Sequence, residues 1–236
     1  MLASKGYLAV GGQIIDATLI AAPRQKLTIE EKATIRNGGT PEGWSRAKRA
    51  QKDRDARRTL KRGRAKPKPE GTQRQAIQIA VPIFGYKSHI GIDRRHGLIR
   101  RWTVTDAAQH DSRSFVDLLD PENTGQPHTV NPRTITVDKN PAYPCAIAEM
   151  KADNELWRFA RLRQCKFLNN IVEQDHRRMK RLVRAGLGFG GLHTARRTLA
   201  GYEAMAMIRK GQAHEVGGRD MRAQATCVAQ LFQVAA

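Results

Sequence analysis

The chain has 236 residues, enough for one sizeable hydrophobic core. Its 42 lysines and arginines against 22 aspartates and glutamates give a net charge of +20, while 40% of the residues are hydrophobic. This composition excludes an acidic disordered chain and a collagen-like fibre, and it favours a polyanionic partner. No apolar run approaches the roughly 18 residues that a membrane span needs. Three cysteines without metal-site spacing, together with the lack of an export signal, predict a cytoplasmic protein.

Two segments hold most of the excess positive charge. Residues 46–68 contain 12 basic and two acidic residues, and residues 158–184 contain nine basic and two acidic residues. Prolines and glycines at the end of the first segment predict a basic surface arm or a partly ordered insertion over residues 45–75. Such a run is often only a solvated loop, but the size of this surplus favours contact with phosphates.

The first half of the chain has the pattern of strands. Alternating apolar and polar residues in QIIDATLI predict a strand, and two β-rich runs at 86–93 and 98–105 predict a hairpin. A short helix is expected to follow, with Asp111 or Ser112 as its cap.

The second half alternates strands and helices. We expect a strand at 134–138, a helix at 141–151, a possible strand at 156–162 and a helix at 169–184. The apolar stripe of the last helix comprises Val172, Met179, Leu182 and Val183. Together, the elements predict an α/β fold: a mixed sheet of about five strands, with helices on its faces and a basic insertion after the first strand.

Three carboxylates stand at positions where acids often carry chemistry. Asp16 lies in the middle of a strand, Asp138 at the end of another, and Glu173 near the start of a basic helix. Helical spacing puts Arg177, Lys180 and Arg184 on the face of Glu173. Carboxylate oxygens are ligands that magnesium prefers, and cations beside them can bind the phosphate of a phosphodiester. The spacing alone favours a purely structural explanation: a capping aspartate, a strand-end aspartate and an ordinary i,i+4 pair.

The second half of the chain carries a specific resemblance. The stretches VDKNPAYPCAI and NNIVEQDHRRMKRLVRAGLGFGG resemble the catalytic region of DDE transposases of insertion-sequence family six, over roughly residues 131–236. The resemblance implies that Asp138 and Glu173, with 34 residues between them, are the second and third catalytic acids. Lys180 matches the basic residue that this family places against DNA.

The first half resembles a different family. The stretches GGQIIDATLIAAPRQ, FGYKSHIGIDRRHGLIRRWTVTDAAQHDS and LLDPENTG resemble insertion-sequence family five transposases, over about residues 11–125. Asp16 then falls on the first catalytic acid. The Tyr-x-x-Arg-x-x-x-Glu signature of family five is absent, and the six-like segment stands in its place. The chain is therefore predicted to be a chimera of residues 1–126 and 127–236, each part of one DDE catalytic core.

Both resemblances imply a ribonuclease-H-like fold and a bacterial, nucleoid-associated transposase. Its reaction would be metal-dependent cleavage of double-stranded DNA at the element ends, followed by strand transfer into target DNA, with a homodimer as one assembly. Asp16, Asp138 and Glu173 would hold two Mg²⁺ ions, which Mn²⁺ can replace. The residues implied or predicted to contact DNA are Arg57, Arg58, Lys61, His176, Arg177, Lys180 and Arg184. For His176 and Arg177, orientation of a carboxylate and a merely exposed basic helix face are the other interpretations.

Two alternatives stay open at this point. Relatives of both kinds carry an N-terminal DNA-binding region, whereas only about ten residues precede the first predicted strand. The chain can thus be a truncated, inactive transposase remnant that only binds DNA. A basic RNA-binding protein with an accidental acidic triad is the second alternative.

Overall fold

A six-stranded mixed sheet organises the computed structural model. The structure describes residues 12–64, 78–94, 97–120, 134–137, 142–154, 156, 158–165, 170–186, 188–213 and 216–233. The strands are β1 (Gln13–Ala21), β2 (Arg57–Arg64), β3 (Gln78–Asp93), β4 (Ile99–Asp106), β5 (Thr134–Val137) and β6 (Arg161–Gln164). Their order is β2-β3-β1-β5-β6, and β4 also pairs with β3. Strands β1 to β4 pair antiparallel, whereas β5 runs parallel to both β1 and β6.

Seven α-helices accompany the sheet in the described ranges. They are α1 (Ile29–Arg36), α2 (Arg46–Gln51), α3 (Phe115–Leu118), α4 (Ala142–Ala152), α5 (Asn170–Ala185), α6 (Leu192–Arg209) and α7 (Met221–Leu231). A single 3-10 turn, Asp111–Ser114, leads into α3. The predicted hairpin is present as β3 and β4, but β3 begins at Gln78, eight residues before the predicted start. The strand at 134–138 and the helices at 141–151 and 169–184 are confirmed to within a few residues. Among the described helices, none is long and apolar enough to cross a membrane.

Strand β1 separates two apolar layers because successive side chains of a strand point to opposite faces. Ile15 packs with Phe115 and Ile135 and with residues of α4. Ile14 packs on the opposite face with Ile90 and with Val172 of α5. Each such fully buried side chain stabilises the fold by about 1.5–3 kcal/mol. Asp16 shares the parity of Ile14, so the strand directs it to the α5 side of the sheet.

The first part of the predicted basic segment is an ordered insertion and not a free surface arm. Residues 46–51 form α2, and residues 57–64 form β2, which pairs with the N-terminal half of β3 from Arg57↔Gly85 to Arg64↔Gln78. Strand pairing needs only backbone hydrogen bonds, so a charged segment joins the sheet while side chains such as Arg58 stay in solvent. The remainder of the predicted arm, from residue 65 onward, lies outside the described residues.

Three local predictions also differ from the structure. The strand expected at 156–162 is β6, which lies further along the chain because Arg161 pairs with Thr134 of β5. Leu182 was assigned to the apolar stripe of α5 but is 38% exposed, since it lies at the edge of the face that α5 buries. Neither Asp111 nor Ser112 caps a helix, because the N-cap position of the 3-10 turn is His110, which makes no side-chain cap bond.

The segment before β2 is fixed to the rest of the fold by one buried and one exposed contact. The hydroxyl of Tyr86 donates to Asp53 Oδ1 at 2.5 Å, and burial and this bond raise the pKa of Tyr86. Asp55 Oδ2 accepts the backbone N–H of Leu192 at 2.8 Å. Because the first N–H groups of a helix have no partner within the helix, Asp55 caps α6 from a distant part of the chain.

Acid is expected to weaken the packing of α1 against α2. Glu31 closes a capping box with Thr28 and also accepts bonds from Trp44 Nε1 (2.6 Å) and Lys48 Nζ (2.7 Å). The bonds from Lys48, Trp44 and Thr28 lower the pKa of Glu31 from 4.5 to about 2. A depressed carboxyl pKa stabilises the folded state above the unfolded-state pKa and loses this contribution as the pH falls toward the folded-state pKa.

Urea unfolding of the natural chain and Glu31→Gln at a series of pH values checks this expectation. The natural chain should be the more stable above a pH of about 4.5, and the difference should shrink toward a pH of about 2. Glu42→Gln, at an exposed position, is the matched control. A difference that does not change with pH would contradict the assignment.

Candidate active site

Asp16 is held in the middle of β1 by contacts on both carboxylate oxygens. Oδ1 accepts the backbone N–H of Ala17 at 3.0 Å, and Oδ2 lies 3.2 Å from Nε2 of His176. A carboxylate only accepts, so Nε2 carries the proton in this bond. The two side chains are 13% and 7% exposed. The bond therefore joins β1 to α5 and fixes the direction of the Asp16 carboxylate.

Glu173 reaches the same region from the first turn of α5. Val172, Met179 and Val183 are buried and place this helix against the sheet. Glu173 lies one turn before His176, and its side chain is 52% exposed. Arg177 Nη2 lies 3.8 Å from Glu173 Oε2, and an ion pair this exposed adds at most about 1 kcal/mol. Among the described residues, Glu173 makes no stronger contact that would compete with a ligand.

Asp16 and Glu173 line one cleft with a volume of about 590 Å³. Its walls come from β1, β2, β3, the 3-10 turn and α5. The charged and titratable residues that line it are Asp16, Lys61, Lys87, Asp111, Glu173, His176, Arg177 and Lys180. A cleft with carboxylates and cations side by side suits a ligand that carries both phosphate and a metal ion.

Lys61 and Lys180 stand close enough to influence each other electrostatically. Loss of hydration at the cleft wall lowers the pKa of Lys180 most, followed by the charge of Lys61, while Asp16 and Glu173 act in the opposite direction. Strand β2 and helix α5 thus bring two ammonium groups beside two carboxylates. Neighbouring cations repel each other, so an anion bound between them is stabilised.

Lys87 and Asp111 form an ion pair within the same cleft. Lys87 Nζ lies 2.9 Å from Asp111 Oδ1 and donates to the carbonyl of Gln109 at 2.6 Å. This pair explains why Asp111 does not cap a helix. Nearby, burial lowers the pKa of His89 to about 4, and its Nε2 lies 2.9 Å from Thr105 Oγ1. His89 is therefore neutral at physiological pH and adds no charge.

The structure brings together most of the residues that the sequence analysis predicted for the site. Asp16, Lys61, Glu173, His176, Arg177 and Lys180 line the cleft. Asp138 lies outside the described residues, and the last described residue of β5 is Val137. His176 is only 6% exposed, a location that favours orientation of Asp16 over contact with DNA.

Three predicted DNA-contacting arginines lie apart from the residues that line the cleft. Arg57 donates to the carbonyls of Arg54 and Ala56 (2.6 and 3.1 Å), which holds its guanidinium against the backbone. Arg58 and Arg184 are exposed. Sequence reasoning missed Lys87, because a lysine in a strand has no pattern of its own and its partner Asp111 is 24 residues away.

The donor set fits a hard divalent cation. Each oxygen of Asp16 makes one described hydrogen bond, which leaves further lone pairs of the carboxylate for a ligand. Carboxylate oxygens are the ligands that Mg²⁺ prefers. In the part of the chain that the structure describes, no three metal-ligating side chains are gathered in one group. A third carboxylate ligand would have to come from elsewhere, and Asp138 is the sequence candidate.

Removal of the paired ammonium groups should reduce the salt dependence of DNA binding. Each phosphate contact contributes about one unit to the slope of log affinity against log salt. We expect Lys61→Ala and Lys180→Ala each to lower that slope by about one, and fluorescence anisotropy with a DNA duplex measures it. Lys32→Ala, at an exposed position on α1 outside the cleft, is the matched control. Equal slopes for all three variants would contradict a phosphate contact.

The comparison with known families agrees with this chemistry. Residues 104–212 match the family model described as a DDE domain. The matched range includes Asp138, Glu173 and Lys180, whereas Asp16 precedes it. Searches among curated proteins and among solved structures give no significant match. The match to a DDE domain, together with a cleft of carboxylates and cations, supports a transposase role for the region that it covers.

Proposed function

We propose that the protein cleaves double-stranded DNA at the ends of an insertion sequence and joins the freed 3′-hydroxyl to target DNA. Asp16, Asp138 and Glu173 are the three catalytic acids in this proposal. The observation that carries it is the placement of Asp16 and Glu173, from distant parts of the chain, in one cleft with Lys61 and Lys180. These four side chains come from β1, β2 and α5, so only the tertiary structure brings them into one cleft.

The topology supports a ribonuclease-H-like core. Three antiparallel strands, β4, β3 and β1, are continued by the parallel strands β5 and β6. Strand β5 lies beside β1 and leads directly into Asp138 along the chain. Residues 1–126 and 127–236 share one sheet through this pairing, which supports a single catalytic core. The origin of the two parts in families five and six stays a prediction.

The described residues divide into two roles in the proposed reaction. Asp16 and Glu173 present carboxylate oxygens to the cleft, and His176 keeps Asp16 in a fixed direction. Lys61 and Lys180 bind the oxygens of the scissile phosphate, and Arg177 binds at the rim. Two Mg²⁺ ions, replaceable by Mn²⁺, would be held by the acids and would supply polarisation of the phosphate and activation of water or a 3′-hydroxyl.

The test is nicking and strand transfer on supercoiled plasmid DNA with Mg²⁺ or Mn²⁺. The natural chain should show metal-dependent products, and Asp138→Asn and Glu173→Gln should lose them while retaining DNA binding in a gel-shift assay. Glu149→Gln, on the exposed side of α4, is the control that should stay active. DNA binding by the natural chain without any cleavage would instead identify a remnant that only binds. Stronger binding to RNA than to duplex DNA at equal salt would favour the RNA-binding alternative.

A further inference from the structure

Strand β3 extends beyond its two neighbours β1 and β4. Within the described residues, these neighbours pair with β3 only from Gly85 and Tyr86 onward, so residues 78–84 pair with β2 alone. We call residues 57–64 and 78–84 the ribbon. At about 3.3 Å per residue, the β3 part of the ribbon is about 23 Å long. Phe84 packs against the buried cluster around Tyr86, so the ribbon is attached to the core at one end.

Both faces of the ribbon are open to solvent. Directly opposite residues of two paired strands share a face. Leu60 lies opposite Pro82 on one face, and Lys61 lies opposite Val81 on the other. All four side chains are exposed, Leu60 by 65% and Val81 by 46%. A two-stranded ribbon without a covered face is only marginally stable in water, so a partner that covers it would stabilise it.

The charge of the ribbon indicates the chemistry of this partner. Five of the eight residues of β2 are arginine or lysine, and neither part of the ribbon contains an acidic residue. Arg58 is fully accessible to a ligand because its side chain is exposed. A ribbon with this charge attracts a polyanion, and it repels the same ribbon of a second copy of the chain. The ribbon therefore fits a nucleic acid.

The ribbon is continuous with the cleft that holds Asp16 and Glu173. Thr59, Leu60 and Lys61 form one wall of this cleft. A cleft of about 590 Å³ has the size of a small-molecule site, so it holds only the reacting part of a DNA strand. The duplex on either side of that part lies outside the cleft. On the β2 side, it meets the ribbon.

We propose that the ribbon binds in the major groove of the DNA duplex next to the cleft. The major groove is about 12 Å wide and admits a two-stranded ribbon, whereas the minor groove, about 6 Å wide, would have to widen at a cost in free energy. Basic side chains such as Arg58 contact phosphates, and Leu60 and Val81 contact base edges. The proposal rests on the proposed function for DNA as the partner. Except for Lys61, which the ribbon shares with the cleft, its residues take no part in cleavage.

Binding of a labelled DNA duplex without metal, measured by fluorescence anisotropy, tests the proposal. Val81→Glu places a negative charge on the ribbon, and like charges across an interface repel, so we expect the affinity to fall about tenfold or more. Val116→Glu is the matched control, because Val116 on α3 is 47% exposed and lies outside the ribbon. This control should bind as the natural chain does.

A second pair of variants measures the phosphate contact. Arg58→Ala should lower the slope of log affinity against log salt by about one, whereas Arg161→Ala, at an exposed position on β6, should not change it. Thermal unfolding of all four variants should stay at the natural level. Equal affinities of Val81→Glu and Val116→Glu, with an unchanged slope for Arg58→Ala, would overturn the proposal.

Methylation of guanine N7, an atom that lies in the major groove, tests the groove itself. We expect the natural chain to bind the methylated duplex more weakly than the unmodified one, and Val81→Glu to bind both equally. Double-stranded RNA of the same sequence has a deep, narrow major groove, so Val81→Glu should not change its binding. An equal effect of Val81→Glu on RNA and on DNA would overturn the placement in the groove.

These measurements do not depend on cleavage, so the two proposals can fail separately. If Val81→Glu binds the duplex as the natural chain does, and the natural chain nicks plasmid DNA, the ribbon proposal fails and the proposed function stands. If Val81→Glu binds more weakly but the natural chain does not cleave DNA, the ribbon proposal stands and the transposase proposal fails.

Discussion

Asp16→Asn is expected to abolish metal-dependent DNA cleavage while the protein stays folded. Asparagine has nearly the same size and can still accept the backbone N–H of Ala17, so the local packing is kept. It has no negative charge and only one acceptor oxygen, so it is a poor ligand for a divalent cation. A metal ion stabilises a phosphoryl-transfer transition state by several kcal/mol. Each 1.36 kcal/mol of lost stabilisation slows the reaction about tenfold. We therefore expect a loss of about a thousandfold or more.

Initial rates of plasmid nicking in Mn²⁺ measure the effect, with duplex binding and thermal unfolding recorded for the same preparations. Asp106→Asn is the matched control, since Asp106 also lies in a strand and accepts a nearby backbone N–H, but it does not line the cleft. Cleavage by Asp16→Asn at the natural rate would exclude Asp16 as a catalytic acid. Asp111, which lies in the same cleft, would then be the next residue to replace.

Arg100→Ala is expected to lower the free energy of unfolding by about 3 kcal/mol. A register shift between Gly91 and Ile92 leaves Arg100 as an extra residue in β4, and this bulge directs its side chain inward. Arg100 Nε pairs with Asp120 Oδ2 at 2.8 Å, and both side chains are only 7% exposed. Removal of one partner leaves a buried charge, which typically costs about 3–5 kcal/mol. The second cation near Asp120, Arg101 at 3.6 Å, offsets a part of this cost.

The same pair also supports the start of β1. The backbone of Asp120 exchanges two hydrogen bonds with the buried side chain of Gln13, at 3.1 and 3.3 Å. Gln13 lies on β1, three residues before Asp16. Loss of order near Asp120 would therefore disturb β1 and with it the candidate site. We therefore expect Arg100→Ala to lose nicking activity at a lower temperature than the natural chain.

Equilibrium urea unfolding measures the stability change. Arg101→Ala is the matched control, because its side chain is 48% exposed and the loss of its longer contact should cost at most about 1 kcal/mol. The double variant Arg100→Met with Asp120→Leu should recover much of the stability, since paired removal of buried charges is often close to neutral. Equal stability of Arg100→Ala and Arg101→Ala would show that the buried pair contributes nothing.

The sequence by itself determined the elements that a regular pattern of apolar residues over a few neighbouring positions can predict. The alternation in QIIDATLI predicted β1, and apolar spacing predicted α5 to within one residue at each end. Asp16 and Glu173 stood out because one interrupts a strand and the other begins a basic helix. Helix α6 was not predicted because its apolar residues do not form a single stripe, so its periodicity is weak.

Only the tertiary structure decided which residues meet. Charge and composition indicated a surface arm for residues 57–64, but the long strand β3 offered a free edge, and β2 formed there. Asp111 was expected to cap a helix, but its carboxylate pairs with Lys87. His176 looked like one of several DNA contacts, yet α5 turns it inward to Asp16. Periodicity reports on neighbours within a few residues, whereas strand pairing and buried polar contacts join residues that are far apart in the chain.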